Sequence, residues 1–112
     1  DILIPSGVVP IIITGRESVI LETRCNELGI KYLYQGVANK VEKLRLITDE
    51  LNRVAYIGDD INDLPCMEAV NASGGIIGCP ANAVSAVKEI SHFISCYNGG
   101  DGAVRDFIEW LI

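Results

Sequence analysis

Three acids, Asp59, Asp60 and Asp63, fall within one short stretch, Gly58-Asp59-Asp60-Ile61-Asn62-Asp63, directly after the apolar run Val54-Ala55-Tyr56-Ile57. Carboxylates held this close repel one another unless a cation stabilises them. Magnesium is the natural candidate, because it takes oxygen ligands and keeps waters and phosphate oxygens in its shell. A reading without metal is that Asp60 or Asn62 caps the helix that follows, where an acid favours the helix N-terminus. A cap uses one carboxylate and this turn holds three, so the cation reading accounts for more of the residues.

Thr14 and Gly15 close the β-branched run Val8-Val9-Pro10-Ile11-Ile12-Ile13. The threonine hydroxyl and the amides after it can converge on an anion, and Arg16 stands beside them as a further cation. The alternative is a helix N-cap at Thr14 with Glu17 as its capping-box partner. Lys40 opens a later helical stretch and is a compact cation suited to neutralising a phosphate. By type alone, both Lys40 and Arg16 are more often solvated surface residues than ligands.

These residues need elements to position them. Val8 to Thr14 reads as a strand buried on both faces, and Val19, Ile20, Cys25 and Leu28 as the apolar side of a helix stopped by Gly29. Tyr32-Leu33-Tyr34 is a second strand. Val41, Leu44, Ile47 and Leu51 space out as one amphipathic helix. Val54–Ile57 is a third strand, Leu64–Val70 a short helix and Gly74–Gly78 a fourth strand. A helix over Ala81–Ile90 and a strand over His92–Ser95 follow. Val104, Phe107, Ile108 and Leu111 then give the stripe of a last helix, preceded by the turn Asn98-Gly99-Gly100-Asp101-Gly102. Strand and helix alternate throughout, which predicts an α/β, doubly wound parallel sheet in one domain over residues 1–112. In such sheets ligands gather at the carboxyl ends of the strands, and all three polar clusters fall there. His92, the only histidine, and Trp110 read as structural.

Composition narrows the function. The chain has 112 residues, enough for one core, and a formal charge of −6, which disfavours a bare nucleic-acid backbone as partner. Its apolar runs are far shorter than the ~20 residues a membrane helix needs. No signal peptide is visible, and Cys25, Cys66, Cys79 and Cys96 are scattered without a C-x-x-C pair. Free thiols in a reducing cytoplasm fit that pattern better than a disulfide framework.

Ile13-Thr14-Gly15-Arg16, Tyr34-Gln35-Gly36 with Lys40 four residues on, Ile57-Gly58-Asp59-Asp60 with Asp63, and Gly99-Gly100 with Gly102-Ala103-Val104-Arg105 occur in that order. Together they resemble the haloacid-dehalogenase-like phosphatases of the 3-deoxy-D-manno-octulosonate 8-phosphate phosphatase type. The phosphatase-like domain fused to some acylneuraminate cytidylyltransferases is of the same kind. The resemblance implies a capless, magnesium-dependent phosphomonoesterase acting on a phosphorylated octulosonate or nonulosonate. It gives Thr14 the transferring phosphoryl group, Lys40 its neutralisation, Asp59 the metal, and Asp60 and Asp63 further metal contacts. It also implies a homotetramer in which Arg105 helps close a neighbouring site.

One departure stands against the matches. The family opens with an apolar strand and Asp-x-Asp, whose first Asp is the nucleophile, and Asp1 with Leu3 does not match it. The 112 residues alone are therefore expected to be inactive. A non-catalytic oligomerisation or regulatory domain of a sugar-nucleotide synthetase is the alternative. In the family that first strand lies between the strand ending at Thr14 and the strand ending at Asp59. The expectation is that a strand from elsewhere fills this place, and that the two neighbours do not close up and pair directly.

Overall fold

A computed structural model describes residues 9, 11–15, 17–99 and 102–111. Short strands and helices alternate along the chain, as the sequence pattern predicts: β1 Ile11–Ile13, α1 Val19–Leu28, β2 Tyr32–Tyr34, α2 Lys40–Ile47, β3 Ala55–Ile57, α3 Leu64–Ala72, β4 Ile76–Cys79, α4 Ser85–Ile90, β5 Phe93–Ile94 and α5 Ala103–Leu111. Every strand pairing is parallel. Among the described residues the strands form two sheets, β1-β2 and β3-β4-β5. β1 pairs Ile12 with Leu33 of β2, and β3 pairs Tyr56 with Ile77 of β4. Among the described residues β1 does not pair directly with β3.

The core lies against the second sheet. Ile77 and Cys79 are buried with Cys66, Met67 and Val70 of α3 and Val87 of α4. Side chains alternate across a strand, so Gly78 faces the other way, and there the Phe107 ring fills the space a Cβ would take. Phe107 is buried, while Trp110 stacks on Phe93 with ring centroids 4.8 Å apart and stays half exposed. α5 thus covers the face opposite α3, which gives the layered α/β arrangement.

Several boundaries differ from the sequence reading, each for a local reason. The helix holding Val41 and Leu44 ends at Ile47, because extended Thr48 follows and its hydroxyl accepts from the Glu50 amide. Leu51 is buried, but in a separate 3-10 turn over Leu51–Arg53. Val19 and Ile20 were expected on the inner side of α1, yet they are 77% and 78% exposed. Half-buried Leu21 and buried Cys25, spaced i and i+4, form the inward face instead. Ser18 caps α1 by accepting from the Leu21 amide, so Thr14 does not take that role. α4 begins at Ser85, since Ala81–Val84 is spent on a turn in which the Val84 amide donates to the Asp59 carbonyl. Val8, Pro10, Arg16, Gly100 and Asp101 lie outside the described residues.

This layering makes α5 unequal along its length. Phe107→Ala should destabilise the full-length protein by about 3–5 kcal/mol, the usual cost of emptying a buried aromatic site. Trp110→Ala should cost much less, and thermal unfolding of the two variants checks the order.

Candidate active site

The carboxyl ends of β1 and β3 and the start of α2 open onto a cavity of about 1040 Å³, whose lining includes Thr14, Gly15, Lys40, Asp59, Asp60 and Asp63. A smaller cavity of about 270 Å³ lies between the two sheets, with Ile13 and Thr14 on one side and Ile57, Gly58 and Asp59 on the other. Segments far apart in sequence are held together by short-range bonds. The Thr14 amide donates to the Tyr34 carbonyl, and the Val37 amide to the Thr14 carbonyl. The Ser18 amide donates to Oε1 of Gln35 at 2.6 Å. The Tyr-Gln-Gly segment therefore fixes the loop that carries Thr14. Asn39 caps α2 by accepting from the Glu42 amide, which makes Lys40 the first residue of that helix.

Asp63 is the centre of the site. Its Oδ1 accepts from Lys40 Nζ at 2.9 Å and from the Tyr56 hydroxyl at 2.8 Å, and its Oδ2 from the amides of Asp59 at 3.0 Å and Asp60 at 3.3 Å. The residue is only 5% exposed. Burial by itself would raise its pKa. The bonds from Lys40, the Asp59 amide and Tyr56 outweigh that and hold the carboxyl below the ordinary range. Asp59 goes the other way, raised first by burial and then by the nearby charge of Asp63 and Asp60, with Lys40 offsetting part. The Tyr56 hydroxyl is pushed up by burial and by Asp63, so it stays a donor.

The three acids of the turn therefore do not share one task. Asp60 Oδ1 accepts from the Ile61 amide, and Asp60 forms a capping box with Asp63 over the 3-10 turn Ile61–Asp63. Among the described residues no three acids, cysteines or histidines form a group that could hold a metal ion, and Asp60 and Asp63 both make bonds to protein donors. The capping reading holds for Asp60, and Asp63 is committed to protein donors. Asp59 fits a hard cation as one ligand, because its charge is left poorly compensated at the cavity wall. Arg105 lies on α5 and pairs with Glu109 one turn on, while its neighbour Val104 lines the smaller cavity. Arg16 falls outside the described residues. Sequence reasoning gave Tyr56 and Asn39 no role, and placed Gln35 in a polar cluster without naming its bond to the Ser18 amide. Asn39 carried a signal, since Asn just before an apolar-periodic stretch marks a helix start.

No protein-family model matches the chain. Known proteins do match it. It is 38% identical to the 3-deoxy-D-manno-octulosonate 8-phosphate phosphatase of Yersinia pestis, over 98% of this chain and 59% of that protein. A probable YrbI family phosphatase from Pseudomonas syringae superposes with a TM-score of 0.79 at 42% identity, covering 93% of this chain and 59% of the other. The 3-deoxy-D-manno-octulosonate 8-phosphate phosphatase of Moraxella catarrhalis, solved with magnesium, phosphate and KDO, gives 0.81 at 34% identity over 95% of this chain and 61% of the other. The chain thus spans between half and two-thirds of the length of these relatives. Its fold is that of the haloacid-dehalogenase-like hydrolases. Within that class, its homologues include the 3-deoxy-D-manno-octulosonate 8-phosphate phosphatases.

Two outcomes follow from this geometry. A Cβ at Gly58 would stand 2.6 Å from Asp63 Cβ and 2.9 Å from Met67 Sδ, so Gly58→Ala should displace Asp63 and cost about 1–3 kcal/mol by overpacking. Thermal denaturation measures this. The acids act at different pH. A carboxyl whose folded pKa lies below its unfolded value stabilises the fold at neutral pH, and loses that effect as pH falls through the folded value. Asp63 is of this kind, so its contribution fades below the ordinary Asp range of about 4. Asp59 has a raised folded value, so protonating it on the way down from neutrality relieves repulsion and adds stability. Melting temperature against pH should lose the upper feature in Asp59→Asn and the lower one in Asp63→Asn.

Proposed function

We propose that the protein is a magnesium-dependent phosphomonoesterase that hydrolyses the phosphate ester of an ulosonate sugar acid, 3-deoxy-D-manno-octulosonate 8-phosphate first among them. One observation carries the reading. Thr14, Lys40 and Asp59, from three separate segments, meet on one cavity at the carboxyl ends of the strands. Relatives with this fold include a phosphatase solved with magnesium, phosphate and KDO. On this reading the Lys40 ammonium neutralises the phosphoryl group and the Thr14 hydroxyl orients it. Asp59 would hold the magnesium, which when bound acts as a Lewis acid on a phosphoryl oxygen. Asp63 carries no part of the reaction; it holds Lys40 and the turn bearing Asp59.

The place between β1 and β3 belongs to the same reading. Among the described residues the ends of β1 and β3 both line the smaller cavity without pairing, and backbone N–H and C=O groups in a core need partners. We assign this place to a strand that brings the nucleophilic aspartate. A homotetramer, also implied by the resemblance, would cover exposed apolar side chains such as Val19, Ile20 and Trp110.

The test is phosphate release by the full-length protein with magnesium, from 3-deoxy-D-manno-octulosonate 8-phosphate and from a nonulosonate 9-phosphate. Turnover of the octulosonate is expected. Lys40→Met and Asp59→Asn should each lower kcat/KM by about a hundredfold or more, as for loss of one preorganised charge-stabilising group. No release from either ester would overturn the assignment.

A further inference from the structure

Asp59 stands just past the β3–β4 ladder, which runs out with the bond from the Gly58 amide to the Gly78 carbonyl. It belongs to neither strand nor helix. Two other bonds hold it, one at each polar group of its backbone. Its amide donates to Asp63 Oδ2 at 3.0 Å, and its carbonyl accepts from the Val84 amide, also at 3.0 Å. The first bond lies within its own turn, whereas the second comes from the turn between β4 and α4. That second turn is itself well anchored. The Ala83 amide donates to the Pro80 carbonyl, the Ala81 amide to the Tyr97 carbonyl, and Asn82 Oδ1 accepts from the Gly99 amide. Ala83 is buried in the core. Val84 lines neither cavity, while Asp59 lies on the wall of both.

We propose that Val84 is a positioning residue, whose main-chain amide holds Asp59 in place for magnesium. The inference rests on the reading that Asp59 holds that ion. Magnesium demands near-ideal octahedral geometry, so a ligand free to wander binds it less well. The backbone sets the direction in which the Asp59 carboxylate leaves the chain, and a bond at each of its polar groups leaves little freedom. Without the Val84 donor the carbonyl would turn to water, and the Asp63 bond alone would fix the residue. Coupling of this kind is reciprocal, so magnesium on Asp59 must in turn strengthen the Val84 bond. A merely structural amide would stabilise the fold and leave magnesium affinity unchanged.

The donor can be deleted where the backbone already suits proline, because Val84 has a φ of −66°. Titration calorimetry of the full-length protein with magnesium should show an affinity about three- to tenfold lower in Val84→Pro, the effect of one lost hydrogen bond. Ser85→Pro sets the same ring at the first position of α4, where proline is well tolerated, and keeps the Val84 amide. Its affinity should stay within about twofold of the parent protein. Parent-like affinity in Val84→Pro, or an equal loss in Ser85→Pro, overturns the proposal while leaving the magnesium site standing. Equal heats from the parent protein and Asp59→Asn overturn both. Hydrogen exchange in the unsubstituted protein is a second measurement. Saturating magnesium should slow exchange of the Val84 amide about three- to tenfold, and more than that of the Ile76 amide, which is bonded to Val54 at the far end of β4. Exchange at Val84 that magnesium leaves unchanged, or slows no more than at Ile76, also overturns the proposal.

Discussion

The Asp63 carboxylate joins parts of the molecule that no strand pairing joins. Lys40 opens the helix that follows the first sheet, Tyr56 lies in the first strand of the second, and both donate to the same oxygen. Apolar packing of α2 on α3 also brings these halves together, but such contact is non-directional and tolerates sliding. A hydrogen bond at 2.8–2.9 Å does not. A buried ion pair is poor evidence for net stability, since desolvation offsets much of its attraction. Its effect here is on geometry: one arrangement of the halves satisfies the carboxylate, and any other leaves a charge buried without its donors.

The surrounding sequence is shaped by that demand. Gly58 has no Cβ because Asp63 and Met67 occupy the space where one would stand. Asp59 and Asp60 turn their amides toward Oδ2, which fixes the backbone between β3 and the 3-10 turn. Asn39 ends the loop before α2 so that Lys40 falls at the helix start, on the cavity wall. Across the cavity, Gln35 ties down the loop of Thr14 through the Ser18 amide. Each of these is a short polar residue or a glycine near a strand end, where an α/β sheet presents its ligands.

Much of this was legible in the sequence because hydrophobic period and turn chemistry are local signals. The alternation of strands and helices, the stop at Gly29 with its left-handed φ of 74°, and the clustering of Thr14, Lys40 and Asp59 at strand ends could all be read from spacing. What spacing could not give was which apolar residues find a partner. Val19 and Ile20 fit an inward stripe by type, yet they are exposed while Leu21 and Cys25 are the α1 residues covered. Leu51 continued the period of Leu44 and Ile47, but the hydroxyl of Thr48 offered the backbone another bond and ended the helix first. Tyr56 was hidden for a related reason. An aromatic residue in an apolar strand reads as core, and only the tertiary structure shows what its hydroxyl meets.

The acidic turn shows why residue type underdetermines role. Asp59 and Asp63 have the same chemistry and stand four residues apart, yet one is raised and the other lowered in pKa. The difference lies in their donors. Lys40 comes from 23 residues away and Tyr56 from an alternate position on the preceding strand, and both go to Asp63. A carboxylate whose lone pairs are filled by protein donors has little left to offer a cation, whatever its place in a motif. Asp60 is drawn off in the same way by the amide it caps. Within the turn, Asp59 is the acid whose pKa burial and its acidic neighbours raise. Asp60 and Asp63, through the capping box and the amides they hold, fix the backbone from which Asp59 faces the cavity.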